Sequence, residues 1–143
     1  MAVTFTNNFK NILDKLRNVL RTEFKNALPV YIGTQEIAGN QYIRLSPSGS
    51  TLSTYAANSE IREYSIEMLF HFNDANIKKT SLDHVLRYTA RIEALIHDNM
   101  NMTLSDSSNI FDCRIDSTEI EPQEESGYLI NFDFKCMHQG NLS

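Results

Sequence analysis

Residues 62–72 read REYSIEMLFHF, and the parity of that run decides the fold. Tyr64, Ile66, Met68, Phe70 and Phe72 take every second position, with Ser65, Glu67, Leu69 and His71 between them. Successive side chains of a strand point to opposite faces, so one face here is wholly apolar and the other mixed. Such a strand lies on a core with its back to water.

The same parity returns near the C-terminus. Phe111, Cys113 and Ile115 alternate on one run, and Tyr128, Ile130, Phe132, Phe134 and Cys136 on the next. Residues 122–127 supply the turn of a hairpin, with Glu124 and Glu125 at its tip. With both apolar sets facing inward, Cys113 falls opposite Cys136 and Ile115 opposite Phe134. The outward face then sets Arg114 and Lys135 beside Asp116 and Asp133, attractive along the diagonals.

What covers these strands is helical. Phe9, Ile12, Leu13, Leu16, Val19, Leu20, Phe24 and Leu28 recur at spacings of three and four, and Pro29 ends the run. A second helix opens with Thr80 and Asp83 in capping-box spacing. Its expected buried face is Leu82, Val85, Leu86, Ile92, Leu95 and Ile96, and it ends near Asp98-Asn99.

Two short strand candidates, Val30–Gly33 and Gln41–Leu45, flank a Gly39-Asn40 turn. Ser46–Ser59, SPSGSTLSTYAANS, shows little periodicity and reads as a long exposed loop. The order is therefore α, β, β, β, α, β, β in a single domain spanning residues 1–143. The expected fold is α+β: a four- or five-stranded mixed, mainly antiparallel sheet with two amphipathic helices packed on one face.

Composition narrows the function classes. The 143 residues carry a formal charge of -5, which disfavours gripping a polyanion, since that affinity rests on Lys and Arg displacing counterions. A mildly acidic wall lets nucleic acid pass without holding it. The N-terminal MAVTFTNNFKNILDK is unlike a signal peptide, and no apolar run approaches the roughly 18 residues of a membrane span. A soluble chain in a reducing compartment, with no membrane partner, is the expectation.

No catalytic constellation stands out. Phosphate-loop, dinucleotide, HExxH and GxSxG patterns are absent. His84 and His97 are thirteen residues apart on one helix, about 220° around it, so they cannot share a ligand. His71 takes the outward parity of its strand and His138 the inward parity, and no pair has metal-ligand spacing. Cys113 and Cys136, among alternating apolar neighbours, read as small buried hydrophobes and not as reactive thiols. The acidic stretch Asp112–Glu125 lacks the EF-hand pattern and reads as a solvated hairpin tip or an interface for a basic partner. These readings predict no enzyme, cofactor or metal.

The order and lengths of the parts resemble the tail-terminator (tail-completion) proteins of long-tailed bacteriophages. The most similar stretch is Tyr42-Ile43-Arg44-Leu45-Ser46-Pro47 followed by Glu63-Tyr64-Ser65-Ile66. The resemblance implies a structural virion protein, assembled in the bacterial host cytoplasm into a ring of six copies at the head-proximal end of the tail tube. That ring would stop tube polymerisation and join the tail to the head. Its partners would be the tail tube protein and a head-side connector or adaptor, with DNA only passing through the lumen. A head-closure or head–tail adaptor protein shares the same character, and a small α+β interaction domain remains a further alternative.

Charge placement suggests where copies meet. Helix 1 from Lys10 to Lys25 carries five basic residues against Asp14 and Glu23, a net of +3. The hairpin from Asp112 to Asp133 carries seven acids against Arg114, a net of -6. A head-to-tail contact between such surfaces closes into a ring by rotation; solvation of both faces is the alternative. The candidate interface residues are Lys10, Arg17 and Arg21 on the helix, with Arg62 at the start of the 62–72 strand. Tyr55 in the long loop is the expected aromatic anchor, and Glu121, Glu124 and Glu125 stand at the hairpin tip.

Overall fold

The computed structural model describes residues 7–33, 41–55, 59–73, 81–123 and 127–141. Helix α1 (Asn8–Phe24) is followed by a 3-10 turn (Lys25–Ala27) and then β1 (Val30–Ile32), β2 (Gln41–Tyr55) and β3 (Ser59–Phe72). Helix α2 (Ser81–Asp98), a short β4 (Met102–Thr103), β5 (Asn109–Pro122) and β6 (Tyr128–Asn141) complete the chain.

The strands form one sheet in the order β1-β2-β3-β6-β5-β4, curled into a half-barrel. β3 and β6 lie at its centre, paired antiparallel from Ser59↔Asn141 to Phe72↔Tyr128. That position explains their parity, because a central strand covered on one face must alternate to keep its polar half wet. Ile43, Leu45, Ile66, Met68, Phe70, Ile130, Phe132 and Phe134 point into one core with Ile12, Leu16 and Leu20 of α1 and Val85, Ile92 and Ile96 of α2. Both helices thus cover the same face.

The helix ends follow from local chemistry. Asn7 caps α1, its side-chain oxygen accepting from Lys10 N at 3.1 Å. Lys25 turns left-handed at φ 53° and donates its N–H to Arg21 O, which stops the α-helix before the expected Leu28. The two helices are clasped by Arg91, whose Nε donates to Glu23 Oε1 at 3.0 Å while its guanidinium sits 4.6 Å from the Phe24 ring centroid.

Four expectations need correction. The sheet has six strands, not four or five: β4 is two residues long, too short to show a period. β1 runs parallel to β2, with Val30 opposite Ile43, so Val30–Gly33 and Gln41–Leu45 are not arms of a hairpin; Gly39-Asn40 lies outside the described residues. Most of the expected loop Ser46–Ser59 is strand: β2 continues to Tyr55 and pairs with β3 out to Tyr55↔Glu60. Beyond Ser46 both faces of β2 are exposed, so nothing there demands alternation. Finally, α2 is rotated relative to expectation. Val85, Thr89, Ile92 and Ile96 are buried, while Leu82 and Leu86 are 49% and 46% exposed. Thr80 lies outside the described residues.

The hairpin register is close to expectation. Ile115 faces Phe134, and Arg114 stands opposite Lys135. Bulges between Phe111 and Arg114 and between Ile115 and Ser117 shift the rest.

Candidate assembly surface

The face of the sheet turned away from the helices carries rows of polar side chains. Glu67, Asp133 and Ser117 form one row across β3, β6 and β5, and Leu69, Asn131 and Glu119 the next. Glu67, Asp133, Ser117, Asn131 and Glu119 line, with Ser48, a shallow groove of about 300 Å³. Arg44 Nε, His71 Nδ1 and Asn131 Oδ1 are out of solvent contact on this side and find no hydrogen-bond partner among the described residues.

One charge network ties the central strands to β5. Arg114 reaches Glu63 at 3.1 Å, Asp112 at 3.1 Å and Asp116 at 2.7 Å, and Lys135 reaches Asp116 at 3.2 Å and Asp133 at 3.6 Å. Partial burial would raise the Asp116 carboxyl, but hydrogen bonds from Lys135 and Arg114 outweigh it and hold the carboxyl below its usual range. The expected diagonal attraction is therefore present, and it consumes three of the hairpin's acids within the subunit.

The basic face of α1 is similarly occupied. Lys10 pairs with Asp14 at 3.0 Å, Arg17 Nη2 lies 3.8 Å from the same carboxylate, and Arg21 Nη2 donates to the Val30 carbonyl at 3.2 Å. Arg62 stands on β3 opposite Leu52, with its Nε 3.8 Å from Glu60 Oε1 and Nη1 3.4 Å from Ser50 Oγ. Glu121 is exposed on β5 opposite Leu129. Glu124 and Glu125 lie outside the described residues. Tyr55 ends β2 and is 68% exposed. α1 packs beside β1 and β2, whereas α2 packs beside β5. The candidate residues therefore divide between two sides of the subunit instead of gathering at one point.

Exposed apolar side chains add to this surface. Leu52 joins Tyr55 on β2, Ile120 stands exposed near the end of β5, and Leu82 and Leu86 are uncovered on α2. Sequence reasoning missed all but Tyr55. Leu82 and Leu86 satisfied a spacing of three and four, but Leu86 lies about 90° around the helix from the centre of the buried set at 100° per residue.

The two titratable sites in the core are accounted for locally. Cys113 and Cys136 are free, buried thiols in mutual contact. The hydrogen bond with Cys113, reinforced by burial, pushes the Cys136 thiol far up, so it stays protonated and unreactive. His138 is buried with Nε2 3.0 Å from Ser108 Oγ, and that hydroxyl donates in turn to Asp106 Oδ1. With the hydroxyl proton directed at Asp106, the imidazole gives Ser108 a proton and has no lone pair there to act as its base. No group of three His, Cys, Asp or Glu side chains suited to a metal ion gathers among the described residues.

Burial lowers the pKa of His138 below its ordinary value of 6.5. Between 6.5 and the lower folded value the unfolded chain holds more protons, so stability is complete above that window and falls as pH drops through it. Urea midpoints measured from pH 7.5 to 5 should therefore decline, and His138→Gln should flatten the decline. An identical slope in the variant would remove His138 as the cause. His71, also lowered by burial and then by Arg44, supplies the residual slope.

No protein-family model matches the chain, and no curated protein matches its sequence. Solved structures do match its shape. A chain from the virion of a native gene transfer agent particle superimposes with a TM-score of 0.64 at 10% identity, covering 95% of this chain and 100% of that one. The fold is one found in a virion. A second solved structure gives a TM-score of 0.56 at 13% identity, covering 96% of this chain and 98% of the other. The likeness spans both chains nearly end to end, so it extends through helices and sheet together.

Proposed function

We propose that the chain is a non-enzymatic structural protein of a phage virion. In this reading it forms a ring, of six copies, at the head-proximal end of the tail tube, where it stops tube polymerisation and joins the tail to the head connector. The observation that carries the reading is the fold shared over 95% of its length with a chain of a gene transfer agent virion. The tail-terminator role rests on the resemblance of Tyr42–Pro47 and Glu63–Ile66 to that family. Two further features support assembly: exposed apolar side chains on both sides of the subunit, and a net acidic charge suited to a lumen that DNA crosses without sticking.

Removing the gene from the producing phage tests the role directly. The expected result is tail tubes of uncontrolled length alongside heads that carry no tail. Tails of normal length that fail to join heads would identify a head-side neck component instead. Normal, joined particles would remove the chain from the neck altogether.

A further inference from the structure

Among the described residues the sheet has two stretches of free edge. β1 covers β2 only from Ile43 to Leu45, and no described residue pairs with the outer side of Pro47–Tyr55. On the opposite edge β4 takes Asn109 and Ile110, and Met100 O accepts from Cys113 N at 3.0 Å. Beyond that point Arg114–Pro122 has β6 on one side and no described strand on the other. An open edge presents backbone N–H and C=O groups ready to pair with another chain, and proteins usually guard it with charge.

The two edges are guarded differently. Arg114–Pro122 carries Arg114, paired with Asp116, and the exposed Glu119 and Glu121. Pro47–Tyr55 contains no Asp, Glu, Lys or Arg; both its faces are exposed, and it holds Leu52 and Tyr55 out to solvent. Its nearest cation is Arg62, opposite Leu52 on β3. Two β5 edges would repel one another, whereas the β2 edge brings no charge of its own, and behind it on β3 Glu60 is paired with Arg62 and Glu63 with Arg114.

We propose that the β2 edge of one copy pairs with the β5 edge of the next, so that the sheet continues from subunit to subunit. The inference rests on the ring reading above and names the contact that closes the ring. β2 and β5 run in opposite directions within the sheet, so copies related by rotation meet antiparallel. The free stretches lie toward opposite ends of the sheet, so joined copies are staggered along the strands, the shear that a closing sheet requires. Because the two edges differ, the contact is heterologous and closes by rotation. Bulges at Ser48 and Ser53 on β2, and before Ser117 on β5, confine the regular ladder to Gly49–Leu52 against Ser117–Pro122.

Backbone amide exchange, compared between dilute monomer and concentrated, assembled protein, reads this pairing. Alternate amides in both segments should slow by about tenfold or more on assembly. Only alternate N–H groups of an edge strand point outward, so of Thr51→Pro and Leu52→Pro one spares the ladder to β3. That variant should keep the monomer's circular dichroism and lose assembly. A ring whose two segments exchange as fast as in the monomer overturns the edge pairing and leaves the ring reading standing. Slowing of Gly49–Leu52 alone, or only when purified tail tube protein is added, also overturns it, by giving that edge to a second β2 or to a different chain. A monomer at every concentration overturns both the pairing and the ring.

Discussion

Phe70→Ala and Phe132→Ala should each cost about 3–5 kcal/mol of folding stability, while Tyr55→Ala should change it by about 0.5 kcal/mol or less. Both phenylalanines are fully buried, on adjacent central strands. Phe70 stacks on Tyr88 of α2 at 5.9 Å between ring centroids, so its loss also loosens a helix. A truncated ring leaves a cavity that the curled sheet cannot close, because at these positions β3 is held by β2 and β6, and β6 by β3 and β5. Against the roughly 5–15 kcal/mol of a typical domain, either loss is a large fraction of the total. Urea denaturation decides the matter, and losses below about 1 kcal/mol for both would mean the inward parity has been misassigned. Tyr55 stands beyond the helices with little to lose on folding; its role in the proposed reading is at a surface between copies.

The central strands were legible because each has one wet face and one dry face. Tyr64–Phe72 and Tyr128–Cys136 announce their orientation residue by residue, and Ile115 meets Phe134 as their parity requires. The outer half of β2 was not legible, for the converse reason. From Pro47 to Tyr55 neither face is buried, so the strand exists through its backbone pairing with β3 and its side chains are free to look like a loop. The register of such a strand is written in its partner. The parallel pairing of Val30 with Ile43 was hidden because two short apolar runs near a Gly-Asn pair carry no sign of their relative direction. As for the assembly surface, Tyr55 and the charged residues could be named, but not that Arg21 is spent on the Val30 carbonyl or that Arg114 binds three carboxylates. Charge counts along a sequence overstate what a surface offers, because neighbours in the fold neutralise one another first.

The rotation of α2 gives the second large effect. Ile92→Asp should cost about 4 kcal/mol or more, and Leu86→Asp about 1 kcal/mol or less, although both positions fit a helical apolar stripe. Ile92 is wholly buried in the core shared by the sheet and both helices, where a carboxylate would lose its hydration. Leu86 is 46% exposed, so an aspartate there keeps its water and loses only part of a side chain's burial, with a small propensity penalty. If instead the two substitutions cost the same, the helix presents the face that its spacing alone suggests, and Leu82 and Leu86 belong to the core. The folded Leu86→Asp protein then serves a second purpose. Leu86 lies two turns before Glu93 on one face of α2, and Glu93 Oε1 accepts from Thr118 of β5 at 3.3 Å, so this face turns toward the edge proposed to meet the next copy. A carboxylate placed there adds to Glu119 and Glu121 and removes apolar contact area. Sedimentation should show weaker self-association, with folding stability lowered by no more than that small cost. Undiminished association would place the contact away from α2, on the strand edges alone.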